Sequence, residues 1–483
     1  MISCPYTPEA AELLQKGQIA LARATVNGIP IDVPYCRSEQ KILHDQMAEL
    51  EDSAWKLDCG GSDWQKRYGS AASLGNDNQV RDILFTYLKL EPEGTDEDEL
   101  EDGDGSDAVD KDVLGHNDHP LARVVLQYRK ARKTADTFLQ GLIAEQVDGV
   151  VHPWFHLHRV ISYRSSSSAP DFQNFPIRDP VQGGIVRRAF VSGDGWCFIE
   201  IDYKGIEVAI STCYHKDPTM VQYQVDDYDF HSDSARDVYV LTKEQLATAR
   251  PRKKDVRHAG KNGFTFPEFY GSYWSQIGPA LWRMAIDGKF ALADGTSFQD
   301  HLASKGIREL GRVLRDPVTN RTIAPTQGTF LHHVQKVEQR FWNERFPVYN
   351  QWKKDWYALY QKRGWFKSKT GFHHEGVYRR NDVTNHPIQG DAFHCNLRSF
   401  YRLDEELVRR RMESYLCGQI HDSIVARVRM SERDEFLLMV RDISQRELVD
   451  VWKWIIVPIR VDAEGTAEGG SWYDKREIEL NGP

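Results

Sequence analysis

The chain has 483 residues, 40% of them hydrophobic and 28% charged, with a formal net charge of −9; that is too long for one ordinary core and predicts two or three subdomains. Seven cysteines without a CxxC pair argue against a disulfide scaffold and a cysteine zinc site. No stretch approaches the roughly 18 consecutive apolar residues of a membrane span, and MISCPYTPEAAELLQKG lacks a leader's basic start and apolar stretch, so a soluble protein of a reducing cytoplasm is expected.

In chain order, residues 37–57 and 119–145 set apolar and charged positions at helical spacing and bracket a segment of different character. That segment, residues 91–112, carries twelve acids and one lysine, a local charge of −11 that leaves the rest of the chain near +2. Its few apolar side chains do not offset an ordering entropy of about 1–2 kcal/mol per residue, which predicts disorder. Asp102 to Ser106 do not complete a calcium loop, because Asp107 stands where glycine is needed and Val113 where the last ligand belongs. A mildly basic remainder with clusters such as RPRKKDVR and YRRND is compatible with nucleic acid.

IEIDYKGIEVAI reads as a strand reaching Asp202, followed by Ile206, Ala209, Ile210 and Cys213 at helical core spacing. In RHAGKNGFTFPEFYG, Arg257 and Lys261 stand four apart and share a helical face. Phe330, Val334, Val337 and Phe341 form one stripe of a long helix, and SYLCGQI with SIVARV reads as a hairpin turning at His421-Asp422. Taken singly, an aspartate after a strand is more often a turn or cap residue. Two of them at strand ends can clamp Mg²⁺ ions that stabilise the attacking and leaving oxygens of a phosphoryl transfer.

The succession IDYKGIE, RHAGK with FYG, NHPIQG and QIHDS resembles the polymerase region of the bacterial DNA polymerase I family, family A. SYRSSSSAPDFQNFPIRDP, IVRRAFVSGDGW, NGIPIDVPYCRSEQ and GGSWYDK extend the resemblance over nearly the whole chain. It implies an α+β right-hand polymerase fold with an antiparallel palm sheet. The divisions would be an N-terminal palm segment 1–36, a thumb 37–145 with the acidic loop 91–112, palm 146–225 with the first metal motif, fingers 226–385 with an insertion at about 281–330, and palm 386–483 with the second metal motif. The implied activity is template-directed addition of dNTPs to a primer 3′-hydroxyl on primer-template DNA, in a bacterial or phage-infected cell. Because the chain starts where the family's polymerase region starts, proofreading and 5′ nuclease domains are expected to be missing, with a separate exonuclease or processivity factor as a partner and no membrane association.

The resemblance also implies residue roles. Asp202, Asp422 and the Tyr203 backbone carbonyl would hold two Mg²⁺ ions, with Mn²⁺ able to substitute, and Lys261 would act with the two aspartates in catalysis. Glu207, His231, Arg257, Lys261, Phe266 and Tyr270 would bind the dNTP, Glu207 by blocking a ribose 2′-hydroxyl. Arg164, Gln173, Asn174, Arg178, Asn385, Gln389 and His421 would touch the DNA. Four departures stand out. Ser423 replaces a glutamate beside the second aspartate, Ala209 replaces an arginine, and Asn381 replaces another, with Arg380 adjacent. Lys261 to Tyr270 is one residue longer than usual, so the stacking position is Phe266 counted back from Tyr270 or Thr265 counted forward from Lys261; a ring can pack on a base, which favours Phe266, and a π-bulge would absorb the extra residue. The rivals are a single-subunit RNA polymerase, disfavoured by Glu207, and a catalytically silent DNA-binding scaffold.

Overall fold

Residues 6–90, 109, 114–115, 117–176, 179–316 and 319–480 are described by a computed structural model. The acidic run expected to be disordered lies outside the described residues except for Val109, and so does Arg178.

Helix starts are written locally. Thr7 Oγ1 accepts from the Ala10 N–H at 3.2 Å and Pro8 follows, opening α1, Pro8–Asn27. Asp32 accepts from the Tyr35 N–H at 2.9 Å and opens α2, Val33–Trp55. Against α2 packs α3, Pro120–Arg132, which continues through wider π turns at Lys133–Leu139 to Glu145. After β1, Trp196–Tyr203, the backbone turns at Gly205 with φ +62° into α4, Ile206–His215. There Ile206, Ala209, Ile210 and Cys213 are all buried, as their spacing requires.

Next come α5, Phe230–Tyr239, and a composite helix over 253–270, here α6, made of Lys253–His258, π turns at Ala259–Thr265 and Phe266–Tyr270. α7, Trp274–Asp287, packs on α8, Phe330–Arg340. α9, Pro347–Arg363, precedes α10, Arg380–Arg410. The chain closes with β2, Tyr415–Ile420, β3, Ser423–Arg429, β4, Val461–Gly465, and β5, Arg476–Ile478. Among the described residues no helix is long and apolar enough to cross a membrane.

The five strands form one antiparallel sheet in the order β5-β4-β1-β3-β2. Alternation sends Ile199, Ile201 and Tyr203 of β1 to a face that α10 covers, where the Tyr203 hydroxyl meets Ser399 Oγ at 2.6 Å. The opposite face carries Glu200 and Asp202. The sheet sits in the largest apolar core; a second core joins residues between 208 and 349, and a third, around Trp64, joins residues between 54 and 128. Each fully buried large apolar side chain, Trp64 or Phe330 for example, contributes about 1.5–3 kcal/mol.

Candidate active site

Sheet register brings the two aspartates together. Asp202 stands opposite Ser423 across β1 and β3, so Asp422, one residue earlier in the turn, reaches the same end of the sheet, and the Tyr203 N–H donates to the Asp422 carbonyl at 3.4 Å. The turn itself is strained into shape: His421 has φ 51°, unusual for a residue with a side chain. On the other flank Asp462 stands opposite Asp202 and Glu464 opposite Glu200. A cavity of about 450 Å³ opens there, walled by Asp202, His421, Asp422 and Asp462.

Electrostatics separate these carboxylates into two kinds. Lys475 neutralises Glu200 at 2.6 Å and Glu464 at 2.5 Å, and Trp472 Nε1 donates to Glu200 at 2.7 Å. Neither Asp202 nor Asp422 makes an ion pair within 4 Å to a described residue. Burial pushes the Asp202 carboxyl up to about 7, and the like charge of Asp422 adds to it. Burial also raises Asp422, against the pull of Lys261. Two crowded, desolvated carboxylates without a direct ion pair among the described residues fit a divalent ion. The described residues hold no cluster of three or more metal-ligating side chains, so such an ion would rest on these two aspartates, backbone oxygen and oxygens brought by a substrate.

The helix α6 faces this end of the sheet. Arg257 Nε donates to both oxygens of Asp229 at 2.9 Å, and Asp229 in turn accepts from the Ser232 N–H at the start of α5. This anchor was not foreseen; its signal in DYDFHSDSA is an acid two residues before His231. Gly260 lets α6 lie against α5, since a Cβ there would come within 2.6 Å of the His231 carbonyl. Burial, then Arg257 and Lys261, lower His231 to about 3, so it is neutral at physiological pH. Its Nδ1 is buried without a hydrogen-bond partner among the described residues.

The extra residue is absorbed by the π turns at Ala259–Thr265. Thr265 points inward, its hydroxyl within hydrogen-bond distance, 2.9 Å, of both Ser234 Oγ and the Gly260 carbonyl. Phe266 stays partly open, with the Lys261 ammonium 5.1 Å above its ring and the His231 ring 5.6 Å away.

Across from Phe266, the Tyr270 hydroxyl donates to Glu207 Oε2, and Arg164 lies 3.9 Å from Oε1. Burial raises Glu207, and Tyr270 and Arg164 partly offset that. Glu207, Phe266, Tyr270, Asn385 and Gln389 together wall a slot of only about 20 Å³. Asn385 Nδ2 donates to the Tyr270 carbonyl at 3.2 Å. The close approach of α10 needs Gly271, with φ +96°, where a Cβ would meet Asn381 Oδ1 at 2.2 Å.

The remaining candidates divide. Asn174 is exposed and donates to Asp171 at 2.7 Å. Gln173 is only 6% exposed, and its amide donates to Gln419 Oε1 at 2.6 Å and to Ser165 at 2.8 Å, so here it braces the β2 hairpin from inside rather than facing a groove. Ser423 is buried and donates to the Ile420 carbonyl at 3.1 Å, a turn contact in place of a third carboxylate.

A family model described as DNA polymerase family A matches residues 34–274. The thermostable DNA polymerase I of Thermus aquaticus is 26% identical over 47% of this chain and 26% of its own length. For DNA polymerase I of Bacillus subtilis (strain 168) the identity is 24%, over 74% of this chain and 35% of that protein. For that of Chloroflexus aurantiacus it is 22%, over 94% of this chain and 42% of that protein. The chain thus spans between about a quarter and two fifths of the length of these curated relatives. A solved structure, the POL domain of Pol1 from M. smegmatis in complex with DNA primer-template and dNTP, superposes with a TM-score of 0.69 at 20% identity, covering 95% of this chain and 70% of that one. The fold is that of a polymerase domain.

Proposed function

The chain belongs to DNA polymerase family A, and from that premise we propose that it extends a DNA primer on a template strand with dNTPs. The observation that carries the reading is the pairing of Asp202 and Asp422 on the wall of one cavity, with the charge of Lys261 reaching Asp422, and a slot walled by Glu207, Phe266 and Tyr270. In this reading the core around the sheet is the palm, the helical core of 208–349 the fingers and the core of 54–128 the thumb.

Asp202, Asp422 and the Tyr203 carbonyl would hold two divalent cations, Mg²⁺ or in its place Mn²⁺, which supply Lewis acidity for the primer 3′-hydroxyl and neutralise charge on the triphosphate. The primer 3′-hydroxyl loses its proton to solvent as its oxygen forms a bond to the α-phosphorus, the bond to the bridging oxygen breaks, and pyrophosphate leaves. Arg257, oriented by Asp229, and Lys261 grip the triphosphate, and neutral His231 offers it an N–H. Lys261 stands where charge develops on the leaving group. Phe266 supplies the face on which the incoming base or sugar packs.

Glu207 occupies the position where a 2′-hydroxyl would project, so deoxyribonucleotides are preferred. Asn385, Gln389 and His421 line the side from which minor-groove acceptors, similar in every base pair, are tested without reading sequence. Arg164, Asn174 and Arg178 hold the backbone.

Primer extension by the purified protein with dNTPs against rNTPs tests this directly. Extension with dNTPs alone is expected. Asp202→Asn or Asp422→Asn should lower the single-turnover rate by orders of magnitude while primer-template affinity survives; near-normal rates in either variant would refute the assignment.

A further inference from the structure

At the C-terminal end of α5, whose first turn carries His231, lies a cavity of about 1020 Å³, as large as the larger ligand clefts. Its cations come from three elements: Arg236 on α5, Lys336 and Arg340 on α8, and Lys305, which follows the short helix Phe298–Ser304. Lys305, Lys336 and Arg340 are exposed, and none makes a side-chain hydrogen bond or ion pair with a described residue. Arg236 is held by Asp233 at 2.7 Å, yet its buried Nε has no hydrogen-bond partner among the described residues. The acids on the wall are Glu344 and Asp237, and Asp237 is already paired with Arg345 at 2.6 Å. Positive charge is therefore in excess.

Two further observations give the cavity a direction. The chain after Lys305 carries exposed Arg308, Arg312, Arg315 and Arg321 against Glu309 and Asp316. Around the antiparallel bridge of Arg315 with Thr322, the Ile323 N–H donates to the Leu314 carbonyl at 2.7 Å, which makes a basic ribbon with Leu314 and Ile323 exposed. At the opposite end, Gln339 and Asn343 also line a second cavity of about 290 Å³, whose far wall is Gly271, Ser272 and Tyr273, immediately beyond Tyr270. That second cavity is also lined by Lys353, Lys354 and Arg380, beside Glu268 and Glu338, so a cation-bearing surface runs from the end of α6, past α8, to the segment between α7 and α8.

We propose that this surface, centred on Lys305, Lys336 and Arg340, binds the phosphate backbone of single-stranded nucleic acid, which under the polymerase reading is template ahead of the site. A run of cations leading away from Tyr270 suits a chain of phosphates better than a lone anion. The large cavity has no Phe, Tyr or Trp on its wall, so the grip is on the backbone and independent of sequence.

The test measures affinity for primer-templates that differ only in the length of the single-stranded template overhang, at several salt concentrations. The wild-type protein should bind the long-overhang substrate about tenfold more tightly at low salt. Lys305→Ala with Lys336→Ala and Arg340→Ala should erase that preference and reduce the slope of log affinity against log salt by about 2, at ~0.7 per single-strand phosphate contact. Affinity and extension on the short-overhang substrate should stay at wild-type level. Glu344→Lys, a change at the same wall that adds charge, should strengthen the preference. An overhang preference that is missing in the wild type, or equal in the wild type and the triple variant, overturns the proposal. Binding is read without catalysis, so a protein that fails to extend primers would sink the polymerase reading and leave this one measurable.

Discussion

Phe266 and Thr265 differ by one position in the chain and by everything in their surroundings. Thr265 is wholly buried with two hydrogen bonds, and Phe266 keeps a face between Lys261 and Tyr270. Counting residues from Lys261 or from Tyr270 points to different side chains, and only the widened turn decides which faces out. Phe266→Ala should therefore raise the KM for dNTP roughly tenfold, the scale of one lost stacking contact, with little change in Tm. Thr265→Val should leave KM near wild type and destabilise the fold by about 1 kcal/mol, the usual net worth of a hydrogen bond. Steady-state kinetics and thermal melts on both variants check this, and a larger KM effect for Thr265→Val would reverse the choice. Gln173 shows the limit of reading single residues: a polar side chain in a loop looks available for DNA until tertiary contacts claim its amide.

Among the elements, α10 does the most to hold the site. Asp391, near its middle, is fully buried and accepts from the Tyr214 hydroxyl of α4 at 2.5 Å, from the Lys369 N–H at 2.9 Å and from the Thr370 N–H at 3.2 Å. Burial alone would raise its carboxyl, but His394, Thr370 and Tyr214 more than offset it, and the net shift is downward. A carboxyl lowered in the folded state contributes stability that is present above its unfolded value near 3.9 and lost as pH falls through the folded value. Asp391→Ala should thus cost about 3–5 kcal/mol at neutral pH, since it orphans the donors of two other elements, and the loss should shrink on acidification. Denaturant unfolding at neutral and acidic pH measures it; a cost under about 1 kcal/mol, as for an exposed pair, would show that α10 is held otherwise. Such elements were legible from apolar stripes: Phe330, Val334, Val337 and Phe341 are all buried on the α8 side of the second core.

For the whole molecule, charge is the property that local structure does not reveal. Residues 91–112 carry −11 of a net −9, so the rest of the chain is near +2. Whatever its conformation, such a run repels phosphate within a Debye length of about 10 Å at 0.1 M salt. Replacing it with a short Gly-Ser linker should tighten primer-template binding, most of all at low salt. Affinities of both forms at two salt concentrations test this, and weaker binding after replacement would mean that the run helps to hold DNA.

The order of motifs, the helical stripes and the alternating strands on either side of His421-Asp422 are properties of neighbours in the chain, and the sequence alone determined them because 3.6- and 2-residue periods record which face is buried. The α+β class and the family followed from that order. What the chain could not disclose depends on groups far apart in it: the β1–β3 register that sets Asp202 beside Asp422, the Asp229 anchor under Arg257, the inward Gln173 and the gathering of Lys305, Lys336 and Arg340 on one cavity wall. Each is a through-space pairing, and the periodicity of a single segment does not record which distant segment will satisfy a charge or a hydrogen bond.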